Sequence, residues 1–427
     1  MSRTDHAPRR RFWRAALAAL AVAIGCGGPP PLDERVRELA TLPAASESSS
    51  DELRRAIATL RQQRGAPDQL EPAGFKPPAS QNSAAQLALV FSDAFRTQIS
   101  PRVQELVDSG ERSPGLLENH APVLRRLEAA AALGTCRFAT DSPAGYFAPM
   151  RYLDDVALAA RFELLHSRQS ANDGDPAAAM NAWRRAMGWC HRLARVRRVS
   201  ARVLAATLRA ELLNELALQL DARVYGRYEA EQVYGLLRDQ LADWPSDRRM
   251  LVGDRAMVAH AYEALRIGLL DRMVTLDERK RLRGAGLYDR LMEPEASELD
   301  ADQTNYLAAM DLLIASAESA YHERVDAVDQ AIELARRTPD VAAYDMFLVE
   351  LPEAMLLVAR DRSRCEAWSL ALSAAADLVA PKFRTNPVNG LPYEAQVDAT
   401  RVVVRTQDPR AGDAVCPRFD TLAGGAR

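Results

Sequence analysis

The stretch Ser200–Asp221, SARVLAATLRAELLNELALQLD, decides the fold. Leu204, Leu208, Leu212, Leu216 and Leu220 recur every four residues, the spacing that lines one side of an α-helix, while Arg202, Arg209, Asn214 and Glu215 fall on other faces. Neither Gly nor Pro interrupts the run, so the pattern predicts a long helix buried in a bundle or array. Similar periodicity appears near Leu153–Leu165, Gln303–Leu334 and Val341–Arg360. The connections between these segments are short, which predicts that successive helices pack as antiparallel hairpins.

Composition points the same way. Of 427 residues 76 are alanine and only 21 are glycine, a helix-favouring balance. Apolar residues at 48% and charged residues at 26% exclude wholesale disorder, a collagen-like chain and a polytopic membrane protein. Positive charge is carried almost wholly by arginine, with lysine only at Lys76, Lys280 and Lys382. Helix starts are marked by Ser49 with Glu52, spaced as a capping box before a helix over Asp51–Gln63, and by Ser100–Pro101 and Asp175–Pro176, each an N-cap followed by proline at the first helical position.

Gly174, Asp175, Ala179, Trp183 and Ala186 stand at the spacing of the inter-helix turn and second helix of a tetratricopeptide repeat, which they resemble. His166 and Ser167 replace the Leu and Gly of that motif's first helix, and no 34-residue period runs through the chain. The resemblance implies tetratricopeptide-like helical hairpins stacked in an array or bundle.

The last residues change character. Pro381, Pro387, Pro392 and the Asn389–Gly390 turn end the helices, and Leu391–Val397 and Arg401–Thr406 read as two short strands of a hairpin. Ala380–Tyr393, with Pro387, Gly390, Pro392 and Tyr393, resembles the C-terminal hairpin of type II secretion major pseudopilins and of secreted proteins with long helical bodies. Asn386 stands where that pattern has Asp, and calcium-ligand carboxylates are not matched, so calcium binding does not carry over.

At the amino end Arg9, Arg10, Arg11 and Arg14 form a basic region, an apolar run follows from Ala15 to Ile24, and small residues lead into Cys26. The run is half the length needed to span a bilayer and reads as the core of a signal sequence. Ala23, Ile24, Gly25 and Cys26 resemble the lipobox of bacterial lipoproteins. That resemblance implies a diacylglyceryl thioether on Cys26, cleavage before it, acylation of the new amino group, and membrane attachment through the lipid. The expected organisation is a signal peptide over 1–25, a Pro- and Ser-rich tether over 26–50, a helical domain over 51–380 and a C-terminal hairpin and tail over 381–427. Residues 26–427 hold 50 basic and 57 acidic side chains, a formal charge of −7 that argues against nucleic acid as a partner.

Four further cysteines, Cys136, Cys190, Cys365 and Cys416, are an even number in an exported chain and are candidates for disulfides. Cys365 with Cys416 would staple the tail to the body, leaving Cys136 with Cys190. No catalytic pattern is present. His322 and Glu323 begin like a zinc-protease motif, but Asp326 stands where the second His must be. Cys190 and His191 point about 100° apart on one helix. Gly284 and Gly286 read as turn residues, Asn172, Asp173 and Asp175 lack the closing Glu of a calcium loop, and no cofactor or metal site is expected. Arg192, Arg195, Arg197, Arg198 and Arg202 read as a solvated helix face, and Trp183, Trp189, Trp244 and Trp368 as core aromatics. The expected role is a non-enzymatic protein-interaction or scaffold module on the periplasmic side of the envelope. The alternatives are a hydrolase acting on envelope glycan or peptide through scattered carboxylates, and an accessory subunit of a secretion or pilus machine.

Overall fold

The computed structural model describes residues 77–111, 114–138, 150–266, 268, 270–337, 342–383 and 385–419. The signal sequence, Cys26, the tether and the helix expected over Asp51–Gln63 lie outside them.

The chain is mainly helical, with a small antiparallel sheet near its C-terminus. It opens with α1 (Ser83–Ala88), α2 (Asp93–Ser109), α3 (Pro114–Asn119) and α4 (Ala121–Ala131). Four long helices follow: α5 (Arg151–Asn172), α6 (Pro176–Ala194), α7 (Val199–Asp221) and α8 (Arg227–Ala242). The next segment comprises α9 (Asp247–Arg266), the short α10 (Leu270–Met273), α11 (Leu276–Gly284) and α12 (Tyr288–Met292), then α13 (Ala296–Ser316) and α14 (Val325–Ala335). A single π-helical turn over Ala343–Leu348 leads into α15 (Leu351–Ala375), the longest helix described. The sheet has the order β1 (Glu394–Val397), β2 (Arg401–Arg405), β3 (Ala414–Pro417). The third strand is an addition to the expected hairpin. At four residues, ending in Pro417, it carries no alternation long enough to announce itself.

Local chemistry sets the ends. Asp175 caps α6 as expected, its carboxylate accepting from the Ala178 N–H at 2.9 Å, with Pro176 at the first helical position. The expected cap at Ser100 is corrected by the structure. The Ser92 hydroxyl accepts from the Phe95 N–H at 3.2 Å and starts α2 earlier, so Pro101 lies inside the helix and one helical hydrogen bond is forfeited there. The neighbouring Val103 and Leu106 are buried, and this packing against α5 holds α2 together across the gap.

The α5–α6 hairpin forms across Asp173 and Gly174, where Gly174 takes the left-handed conformation at φ 79°. Ala179, Trp183 and Ala186 are wholly buried in it, and Trp183 Nε1–H donates to the Leu212 carbonyl on α7 at 2.8 Å. On α7 the five leucines are buried as the period requires. Off the leucine stripe Arg202, Arg209 and Glu215 are also nearly sealed from solvent, in keeping with a helix buried in a bundle, while Asn214 and Leu218 are exposed.

Buried apolar side chains form two main clusters. The first gathers α1–α8, the C-terminal half of α15 and the sheet. The second gathers α9–α14, the π turn and the N-terminal part of α15. Helix α15 belongs to both, with Leu351, Met355 and Val358 in the second core and Cys365, Trp368, Ala371, Leu372 and Ala375 in the first. Gly253 marks where α9 presses on the preceding chain, since a Cβ there would sit 2.0 Å from the Arg197 carbonyl oxygen. Among the described residues no helix is long and apolar enough to cross a membrane.

Candidate functional site

Between the two cores lies a layer of buried charge. Arg209 of α7 donates to Asp361 of α15, and both are almost wholly sealed. One turn pair away on the same stripe of α7, Arg202 donates to Asp247 Oδ1 at 2.8 Å, while Arg324 donates to the other oxygen of Asp247 at 2.7 Å. The Trp244 ring faces both α7 arginines, 5.7 Å from the Arg202 guanidinium carbon and 4.9 Å from that of Arg209. Arg360 donates to Asp408 at 2.7 Å, which carries the layer to the C-terminal segment.

The electrostatics follow from burial. Desolvation pushes the Asp361 carboxyl up, and the guanidinium of Arg209 pulls against that shift. Arg209 keeps its charge, because a guanidinium does not lose its proton in a protein. Arg209 Nε and Nη2 and Asp361 Oδ1 find no hydrogen-bond partner among the described residues, so the pair is incompletely satisfied. Such a pair fixes the relative position of α7 and α15 without adding much net stability, because desolvation offsets most of the attraction.

The cysteines fall around this layer. Cys190 on α6 and Cys365 on α15 are both fully buried and both within electrostatic reach of Arg209 and Asp361, and burial pushes each thiol up to about 12. Cys416 on β3 is likewise pushed up to about 12 by burial, and its Sγ lies 3.5 Å from the Pro417 carbonyl oxygen. Cys136, after α4, is half-buried. All four are free thiols, so neither the expected Cys365–Cys416 bridge nor the Cys136–Cys190 bridge is made in this structure. Protonated, sealed thiols of this kind pack as small apolar groups.

A polar clasp ties the sheet segment to α15. Tyr393 donates to Glu366 Oε2 at 2.8 Å, Arg362 donates to Glu366 Oε1 at 2.9 Å, and Arg364 donates to the Ala411 carbonyl at 2.8 Å. Asn386 is wholly buried: its amide nitrogen donates to the Thr406 carbonyl at 2.6 Å and its oxygen accepts from the Val388 N–H at 2.8 Å. The donation to Thr406 needs an amide, since an ionised carboxylate can only accept. The Asn389–Gly390 turn is present, with Gly390 at φ 73° and its Cα so close to His322 that a Cβ would lie 2.7 Å from the ring. His322 is spent on this contact.

In the second core Asp302 is buried, and one of its oxygens accepts from Tyr262 at 2.7 Å and from the N–H groups of Ala342 and Ala343 at 3.1 and 2.9 Å. It thereby caps the π turn. Asp254 accepts from the Val199 N–H at 2.9 Å, and burial pushes its carboxyl up to about 6. At the start of α5 burial, with the adjacent Asp155, also lifts Asp154 to about 6. No group of three or more His, Cys, Asp or Glu among the described residues is arranged to hold a metal ion.

The basic run is also corrected. Arg195 stays on the surface, 3.2 Å from Asp243, but Arg198 and Arg202 are buried and Arg192 donates to the carbonyls of Ala131 and Leu133 at 2.8 and 3.0 Å. Trp183, Trp189 and Trp368 are core residues as expected. Arg209, Asp361, Asp302 and Glu366 were not singled out from the sequence. The available signal was the spacing of Arg202 and Arg209, two helical turns apart, which sets both on one stripe of a helix otherwise apolar. No known protein family, no curated protein and no solved structure matches this chain.

Proposed function

We propose that the chain is an exported bacterial lipoprotein whose helical body acts as a non-enzymatic docking scaffold in the cell envelope. The observation that carries this reading is the amino-terminal order of Arg9–Arg14, the apolar run Ala15–Ile24, and Cys26 after Ala23, Ile24 and Gly25. Acyl chains on Cys26 anchor the protein on the periplasmic side, and the Pro-rich segment from Pro29 to Pro31 spaces the body from the lipid. The finer arrangement we propose is a tetratricopeptide-like stacking of helical hairpins, which offers a concave face to a protein partner. The α5–α6 hairpin supports it, with Ala179 and Ala186 allowing close helix approach and Trp183 filling the space toward α7.

Cys26→Ser is expected to move the protein from the membrane fraction to the soluble fraction, and unchanged membrane retention would refute the anchor. The partner is best sought by photo-crosslinking in cells, since three lysines offer few handles to amine reagents. A protein adduct supports the scaffold reading. Turnover of envelope glycan or peptide by the purified chain would replace it with the hydrolase reading.

A further inference from the structure

We propose that β1 is the contact through which two copies of this chain join their sheets edge to edge. The argument starts from which way the backbone of β1 points. The Asp398 N–H donates to the Arg401 carbonyl at 3.0 Å, closing the β1–β2 hairpin. Backbone groups alternate along an antiparallel strand, so those of Glu394 and Gln396 also point at β2, while those of Tyr393, Ala395 and Val397 point away from it. The outer edge thus offers its N–H and C=O groups at Tyr393, Ala395 and Val397. Pro392 falls on the inward parity, so its missing N–H costs the outer edge nothing.

The side chains support a free edge. Ala395 and Val397 stand opposite Val404 and Val402, so they share a face with two residues that are fully buried against the body. Yet every residue of β1 is exposed, Val397 at 52% and the nearby Leu391 at 46%. Strand β1 therefore projects past the cover that seals β2, so Ala395 and Val397 are left open together with the backbone edge, while Tyr393 on the same face is held against α15 by Glu366. The opposite edge strand, β3, packs against α7 and α15.

Charge selects the occupant and the register. With a twofold axis at Ala395, Ala395 pairs with its own copy, Glu394 faces Gln396, and Tyr393 faces Val397 as an aromatic–aliphatic pair on the apolar face. With the axis at Glu394 that carboxylate meets itself, and with the axis at Gln396 it meets Asp398 twice. Axes between residues turn the apolar face of one copy to the polar face of the other. The axis at Ala395 is therefore the register that both avoids opposed like charges and pairs all three outward residues, Tyr393, Ala395 and Val397, with a second copy of this chain.

The test uses the full chain carrying Cys26→Ser, so that acyl chains cannot gather molecules into micelles. Sedimentation equilibrium should show a concentration-dependent dimer. Ala395→Pro removes only the outward N–H, leaving the bonds to β2 in place, and should weaken association about tenfold or more through the two lost interstrand bonds. Ala395→Cys should form a covalent dimer on addition of an oxidant, because directly opposed residues of this kind lie about 5.5 Å apart, within disulfide span. Gln396→Cys should not. A chain that stays monomeric, a dimer indifferent to Ala395→Pro, equal cross-linking at both positions, or occupation of the edge by a strand from another protein would each overturn the proposal.

Discussion

In the first core the long helices are laced together by arginine–glutamate pairs, whereas in the second α9 and α13 are tied by arginine–aspartate pairs, Arg255 to Asp311 and Arg266 to Asp300, and a further aspartate sits among aromatic rings. Arg161 reaches Glu211 with two bonds of 3.0 and 2.9 Å, Arg185 reaches Glu163 with two of 2.8 and 2.9 Å, and Arg168 reaches Glu215 at 2.8 Å, so α5 is tied to both α6 and α7. In the second core Tyr262, Tyr306 and Phe347 meet at ring separations of 5.3 to 5.9 Å, and Asp302 holds the π turn beside them. In both regions the arginine pairs fall on the long helices. Long helices rich in alanine present smooth faces that can rotate or slide, and a rigid two-pronged guanidinium fixes their angle in a way an ammonium cannot. The short α10–α12 have little face to slide, so caps and aromatic packing suffice. The chain's preference for arginine over lysine acquires a mechanical use here.

The comparison can be broken at the layer shared by both cores. Arg209→Met should cost about 3 to 5 kcal/mol in chemical denaturation, because it strands Asp361 as an unpaired buried charge, and adding Asp361→Leu should restore most of the loss. A small effect of the single change would mean that solvent reaches the pair. Next in size, Asp302→Ala should cost about 2 to 3 kcal/mol by orphaning two buried N–H groups and the Tyr262 hydroxyl. The loss should be local: amide exchange should quicken over 250–358 while α5–α7 stay protected, and uniform quickening would refute the division into two cores.

Asp254 gives a smaller effect with a definite pH signature. Its folded pKa of about 6 lies above the unfolded value, so its contribution is favourable in acid and is lost as pH rises through about 6. Asn cannot ionise and keeps an acceptor for the Val199 N–H. Asp254→Asn should therefore be more stable than the parent by about 1 kcal/mol at pH 7 and equal to it near pH 4. A difference that does not vary with pH would disprove the shift. The smallest effect belongs to the exposed pair Arg102–Glu105 on α2, where Glu105→Gln should stay within about 0.5 kcal/mol.

How much of this could be read in the sequence depended on how local the signal was. The α6 cap at Asp175, the α5–α6 hairpin, the leucine stripe of α7 and the Asn389–Gly390 turn rest on residues a few positions apart, and each was legible. Pro101 misled because a capping serine nearer the helix start outweighed one lost hydrogen bond. The pairing of Arg209 is not legible from its own helix, because the group that makes its burial tolerable, Asp361, lies 152 residues further on. The same distance hid the charged layer, since no periodicity links α7 to α15. The clasp from Glu366 to Tyr393 and the role of Asn386 were hidden likewise, as their partners are set by the packing of the sheet.

Because Ala84 and Phe419, near the two ends of the described residues, both belong to the first core, the second core is an excursion carried between α8 and the far half of α15. A pull applied at the amino end is then borne by the arginine-laced helices. The excursion is joined to that load path through α15 and through the contacts of α9 with α7, Asp254 with Val199 and Asp247 with Arg202. Changes confined to α10–α12, away from those contacts, leave the arginine–glutamate pairs of α5–α7 untouched.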